Sequence, residues 1–242
     1  EYLADNGIAV LRFDKRTYTY GATIDVETFT AYEESVEDAA FALEYLIAQP
    51  EIDSESIYIL GHSLGGYLIP KIAEYTPNAA GYIITAGSAL PLQDLIVKQY
   101  TYIYELDGSI SDEEQPTLDA LMIQQEAITT LAEDSDLPAS ELMGVSPAYW
   151  LYLNNYDHLG EVKNIDKPLL ILQGEGDYQV TLDDFALWET ATESMTNVTR
   201  ISYPLINHFL YEGEGVPSPA QYQSPKHVDK HLMDDLINFI NN

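Results

Sequence analysis

A chain of 242 residues, 46% hydrophobic and 21% charged, can bury the core of one large domain or of a domain with an insertion, and no apolar run reaches the roughly 18 to 20 residues that span a bilayer. Forty Asp and Glu against ten scattered Lys and Arg give a net charge of −30, which repels phosphate backbones and anionic membranes and excludes nucleic-acid binding through a basic patch. The absence of cysteine removes disulfides, zinc–thiolate sites and a cysteine nucleophile together.

In chain order, residues 1–6 read as the end of a helix closed by Asn6-Gly7. Ile8, Ala9, Val10, Leu11 and Phe13 form a short, nearly continuous apolar run, the pattern of a strand buried on both faces of a parallel sheet. Asp14-Lys15-Arg16 follow it and are read as fixing the next loop. Tyr18 to Phe29 is polar and contains glycine, so it reads as a loop. The next segment carries Val36, Ala40, Leu43 and Ile47 at helical spacing and ends at Gln49-Pro50.

Ile57 to Leu60 reads as a buried strand, running directly into Gly61-His62-Ser63-Leu64-Gly65 and then into a helix expected to reach about Tyr75. This strand, turn and helix around G-x-S-x-G is the arrangement that holds a serine hydroxyl clear of the backbone. Gly61 and Gly65 are expected to allow strand and helix to approach closely. A bare G-x-S-x-G can equally be a glycine-rich turn with a capping serine. The flanking strand and helix favour a nucleophile at Ser63.

Gly81 to Ala86 is another buried strand, which completes a β-α-β-α-β run and implies a parallel sheet. From Leu90 to Val162 the pattern is helical without strands, punctuated by Pro116, Pro138 and Pro147. Residues 91–162 are therefore expected to form a helical cap, with 1–90 and 163–242 as the core. Tyr149, Trp150, Tyr152 and Tyr156 either line a pocket there or pack the cap. The sheet resumes over Pro168 to Gln173, followed by Gly174-Glu175-Gly176-Asp177, a helix from about Leu182 to Met195, a strand from Val198 to Tyr203, and Pro204 to His208. Val228 to Ile240 closes the chain as an amphipathic helix.

A serine nucleophile needs a histidine to take its proton and a carboxylate to hold that histidine's tautomer. On parallel sheets such groups lie beyond the C-terminal ends of strands. Asp177 and His208 both occupy that position, giving the order Ser63, Asp177, His208, which differs from the chymotrypsin and subtilisin orders. Asp183 and Asp184 are rival acids, although a helix start explains them. Among the other histidines, His62 lies inside the turn, His158 in the cap segment, and His227 and His231 at the last helix; each reads as structural or solvated.

Gly7 to Arg16, Gly-His-Ser-Leu-Gly-Gly at 61–66, Leu-Ile-Leu-Gln-Gly-Glu-Gly-Asp-Tyr-Gln-Val at 170–180 and Tyr-Pro-Leu-Ile-Asn-His-Phe at 203–209 together resemble bacterial α/β-hydrolases of the serine-aminopeptidase-like carboxylesterase group. The resemblance covers both halves of the sheet and is weakest in the cap. It implies an α/β-hydrolase fold with a mostly parallel central sheet and a helical cap insertion. It also implies Ser63 as nucleophile, Asp177 as acid and His208 as base, and hydrolysis of carboxylic esters through an acyl-enzyme. In that fold the oxyanion hole takes one N–H from the residue after the nucleophile, here Leu64, and another from a loop after an earlier strand. In the family this strand precedes the segment resembling residues 1–16 and lies between the Ile8 to Phe13 strand and the elbow strand, so the N-terminal strands are expected to be absent from this chain.

The expected activity is cleavage of small or medium acyl esters, with a small-molecule ester as partner and no metal or organic cofactor required. A serine peptidase acting on small peptides is the alternative within the same chemistry. A hydrolase-fold module that binds a ligand without turnover is the alternative from another class. No charged-then-apolar signal segment follows Glu1, and the acidity fits solubility, a salt-rich habitat or an exported protein.

Overall fold

A computed structural model describes every residue except Pro225. After a helical turn at Tyr2–Asp5 the named elements are α1 (Glu37–Ile47), β1 (Tyr58–His62), α2 (Leu64–Tyr67), α3 (Ile69–Tyr75), β2 (Gly81–Thr85), α4 (Leu92–Tyr104), α5 (Gln115–Thr129), α6 (Pro147–Asn154), β3 (Leu169–Gly174), α7 (Leu182–Ala191), β4 (Val198–Tyr203) and α8 (Lys230–Asn241). The four strands form one sheet in the order β1-β2-β3-β4, every neighbouring pair parallel. All four strand C-termini therefore lie along one side of the sheet, where the loops after β1, β3 and β4 meet.

The chain groups into two compact units. The first comprises residues 1–14, 35–89 and 158–242 and contains the whole sheet. Its central strands β2 and β3 are buried along their entire length, as their unbroken apolar runs require. Ile83, Leu170, Leu172, Tyr203 and Ile206 pack with Leu232 and Leu236 of α8. That contact explains the amphipathic pattern of the final helix, whose exposed face carries Lys230 and Asp234 in an ion pair one turn apart at 2.7 Å.

The expected strand over Ile8–Phe13 does not form. Residues 8–15 have no regular structure, and Val10, Leu11 and Phe13 are 60%, 39% and 52% exposed. A strand needs a partner for its backbone groups, and among the described residues none pairs with this run. β1 is the edge strand instead. The Ser63 N–H donates to the Thr85 carbonyl and the Ala80 N–H to that of Ile57, so by strand alternation the backbone groups of Tyr58 and Leu60 face the open side. Among the described residues no strand pairs there, and Leu60 is 47% exposed.

The second unit comprises residues 15–34 and 90–157. It contains no strand, and α4 packs on α5 with Gln125 Nε2 donating to Asp94 Oδ1 at 2.8 Å. Trp150 is buried and donates from its indole N–H to the Leu142 carbonyl, while Tyr149 donates to Glu34 at 2.7 Å. These two aromatic side chains are thus engaged within the unit. Burial, then the Glu34 carboxylate beside it, pushes the Tyr149 hydroxyl well above the ordinary tyrosine range. The polar stretch read as a loop from Tyr18 begins inside a helix, Arg16–Tyr20, followed by a 3₁₀ turn at Gly21–Thr23.

Candidate active site

β1 ends in a backbone conformation that few side chains adopt: Ser63 has φ 55° and ψ −119°, the left-handed half of the map, between the strand and α2. Its amide N–H donates to the Thr85 carbonyl at the end of β2, and its own carbonyl accepts from the N–H of Tyr67, the last residue of α2. Steric room for this turn comes from Gly61, where an added Cβ would lie 2.2 Å from the Gly65 carbonyl oxygen. Gly65 plays a different part from the one its place in the motif suggests. A Cβ there would meet nothing within 4 Å, whereas one on Gly66 would lie 2.8 Å from Gly87 Cα. Leu64 is the first residue of α2, so its N–H has no acceptor within the helix.

Asp177 and His208 stand after β3 and β4. The two loops press together because Gly174 lets the Ile206 carbonyl approach to where its own Cβ would be, 2.2 Å away, and the Gly176 N–H donates to the same carbonyl at 2.9 Å. The His208 loop closes on itself through an antiparallel bridge between Ile206 and Glu212, with Asn207 N–H bonded to the Tyr211 carbonyl. His208 Nδ1 lies 2.7 Å from Asp177 Oδ2. The other carboxylate oxygen, Oδ1, accepts from the Gln179 and Val180 N–H groups at 2.8 and 3.0 Å. Both Asp177 and His208 are buried. A carboxylate fixed in this way keeps the proton on Nδ1 and leaves Nε2 as the basic nitrogen.

The rival candidates have other employment. Asp184 is fully buried, closes a capping box with Thr181 and accepts the Ala89 N–H at 3.0 Å, while Asp183 lies in the same first turn of α7. His158 is also buried, with Nε2 2.9 Å from the Ala89 carbonyl and its ring against Tyr67. His231 is exposed at the start of α8. His227 is exposed as well, whereas His62 does more than occupy the turn. It donates from Nε2 to the His208 carbonyl at 2.8 Å, with the two ring centroids 4.7 Å apart.

Beside His208 lies an aromatic group that the sequence-based expectations did not include. Phe209, half exposed, meets Tyr222 edge-on with centroids 4.5 Å apart, and Tyr222 stacks at 6.0 Å on Tyr178. Tyr222 lies 14 residues beyond His208 in a short 3₁₀ turn, and nothing in the local pattern marks it. Burial pushes its hydroxyl well above the ordinary range.

Esterase EstD of Thermotoga maritima is 32% identical over 239 residues, which is 98% of this chain and 54% of that protein; the chain spans about half the length of this relative. Est1E from Butyrivibrio proteoclasticus, solved with ferulic acid bound, aligns with a TM-score of 0.51 at 16% identity over 88% of this chain and 67% of that one, a likeness of fold. Residues 1–211 match the family described as serine aminopeptidase, S33, so the chain belongs to that family of α/β-hydrolases.

Proposed function

We propose that the chain carries the catalytic centre of a serine hydrolase that cleaves carboxylic esters of small or medium acyl groups through an acyl-enzyme. The observation that carries this reading is the 2.7 Å contact between His208 Nδ1 and an Asp177 carboxylate whose second oxygen is held by two backbone N–H groups. With a serine held in a strained turn at the same end of the sheet, such a pair is suited to accept the hydroxyl proton.

In the first half-reaction Ser63 Oγ attacks the acyl carbon while His208 Nε2 takes the hydroxyl proton. The charge that develops on the carbonyl oxygen is met by the Leu64 N–H. Collapse of the tetrahedral intermediate breaks the ester C–O bond, and His208 returns the proton to the departing alkoxide. Water then enters by the same base, and the acid leaves with Ser63 restored. Asp177 stays ionised throughout and steadies the imidazolium. Residues 91–162 are assigned the role of cap over the core formed by 1–90 and 163–242, on the strength of their strandless helical content. No metal or organic cofactor enters these steps.

A peptidase acting on small peptides is the second reading, favoured by the description of the matched family. The test is hydrolysis of p-nitrophenyl esters from acetate to decanoate, beside a set of aminoacyl p-nitroanilides, by this chain and by Ser63→Ala. Ester turnover that vanishes in the variant supports the esterase. Selective turnover of the anilides supports the peptidase, and turnover unchanged in the variant refutes both.

A further inference from the structure

The residue before the nucleophile is bonded to the main chain of the residue proposed as base. His62 and Ser63 share the turn after β1, while His208 lies 146 positions from His62 on a loop after β4, with β2 and β3 between the two strands. A link between these two loops sets the separation of nucleophile and base directly.

We infer that His62 is a positioning residue: by donating from Nε2–H to the His208 carbonyl and packing its ring against the His208 imidazole, it fixes the base relative to Ser63. The inference rests on the reading of His208 as base. Two independent contacts support it. The 2.8 Å hydrogen bond anchors the His208 backbone, and the tilted ring contact, centroids 4.7 Å apart at 50°, restricts how the imidazole turns about its own bonds. Asp177 alone holds Nδ1, one point of the ring, and a ring held at one point can still swing. The carbonyl bond adds a second fixed point, on the backbone.

The ionisation of His62 suits the task. Burial, and then the neighbouring His208, hold its pKa below the ordinary imidazole value, against the opposing pull of the His208 carbonyl and Asp177. A neutral His62 donates through Nε2 without placing a second positive charge beside the imidazolium that forms in catalysis. A phenylalanine would keep the ring and lose the donor. A glutamine would lose the ring and keep a donor at similar reach. The two substitutions therefore separate hydrogen bonding from packing.

The experiment compares the parent chain with His62→Phe, His62→Gln and Ser63→Ala, following p-nitrophenyl acetate turnover and the downfield proton resonance of the His208 Nδ1–H bonded to Asp177. Misplacement of a reacting group by about 1 Å costs ~10² in rate, so His62→Phe is expected to lose about 10²-fold in kcat. Its KM should stay within about twofold, because ground-state binding is untouched. His62→Gln is expected to recover most of the rate, and the downfield resonance should shift or broaden in the Phe variant only. A folded Phe variant with parental kcat and an unmoved resonance overturns the inference. So does a Gln variant with the same loss as Phe. Should Phe fail to fold by circular dichroism, the Gln variant decides alone, a near-parental rate and resonance supporting the inference and a loss overturning it. Equal turnover by the parent and Ser63→Ala would instead refute the serine reading. The resonance, which needs no substrate, then still reports whether His62 positions His208.

Discussion

Asp177 and His208, 31 residues apart in sequence, meet at 2.7 Å because β3 and β4 are parallel neighbours and the glycine at the end of β3 lets the loop after β4 fold against it. The carboxylate is fully shielded from water, so its bond to the imidazole is made in a low-dielectric setting where geometry and charge both count.

Replacing Asp177 by Asn keeps the shape and removes the acceptor that selects the Nδ1–H tautomer. The variant is expected to fold and to lose about 10⁴-fold in kcat, by analogy with serine-protease triads. Steady-state hydrolysis of p-nitrophenyl acetate, with circular dichroism as the check on folding, measures this. A loss below tenfold would mean that the pair serves stability alone.

The two motif glycines should behave differently. Gly61→Ala places a Cβ 2.2 Å from a backbone oxygen, which cannot yield as a side chain would, and is expected to cost about 1–3 kcal/mol. Gly65→Ala meets open space inside a helix and should stay within about 0.5 kcal/mol of the parent. Urea denaturation of the two variants decides the matter, and equal losses would contradict this picture of the turn.

The final helix holds the sheet through Leu232, which is fully buried against β2, β3 and β4. Leu232→Ala should cost about 2–5 kcal/mol, the usual range for an unrelaxed core cavity. Thermal and urea unfolding measure it. A loss under 1 kcal/mol would show that α8 packs more loosely than its burial suggests.

The half-buried His62 makes stability depend on pH with a definite sign. Unfolded, its pKa is near the ordinary 6.5; folded, burial and the neighbouring His208 hold it lower, against the hydrogen bond to the His208 carbonyl and the Asp177 carboxylate. Between those two values the unfolded chain binds a proton that the native chain does not, so this contribution falls as pH drops below about 6.5. The parent should therefore lose stability relative to His62→Gln between about pH 7 and about pH 5. Parallel urea midpoints for the two proteins across that window would contradict it.

Strands β2 and β3 were legible as short apolar runs bounded by turn residues, and β4, Val-Thr-Arg-Ile-Ser-Tyr, as an alternating segment that begins and ends where expected, at Val198 and Tyr203. Asp177 and His208 were legible because they follow such strands. The Ile8–Phe13 run carries the same local signal and yet forms no strand. Apolar periodicity reports what a segment can bury, while pairing depends on a neighbour elsewhere. Local pattern also gave no sign of the partner of His62, which lies 146 residues away, or of the contacts of Tyr222, which are made in three dimensions only. The helix expected to run unbroken to Tyr75 divides into α2 and α3 at Leu68, just before Pro70.

The most direct test of the central claim is the site of covalent labelling by a fluorophosphonate, read by mass spectrometry of the digested chain. A single adduct on Ser63 is expected, abolished in Ser63→Ala and slowed by orders of magnitude in His208→Ala. A folded parent that takes no label, or an adduct on another residue, would contradict the assignment of Ser63 as an activated nucleophile.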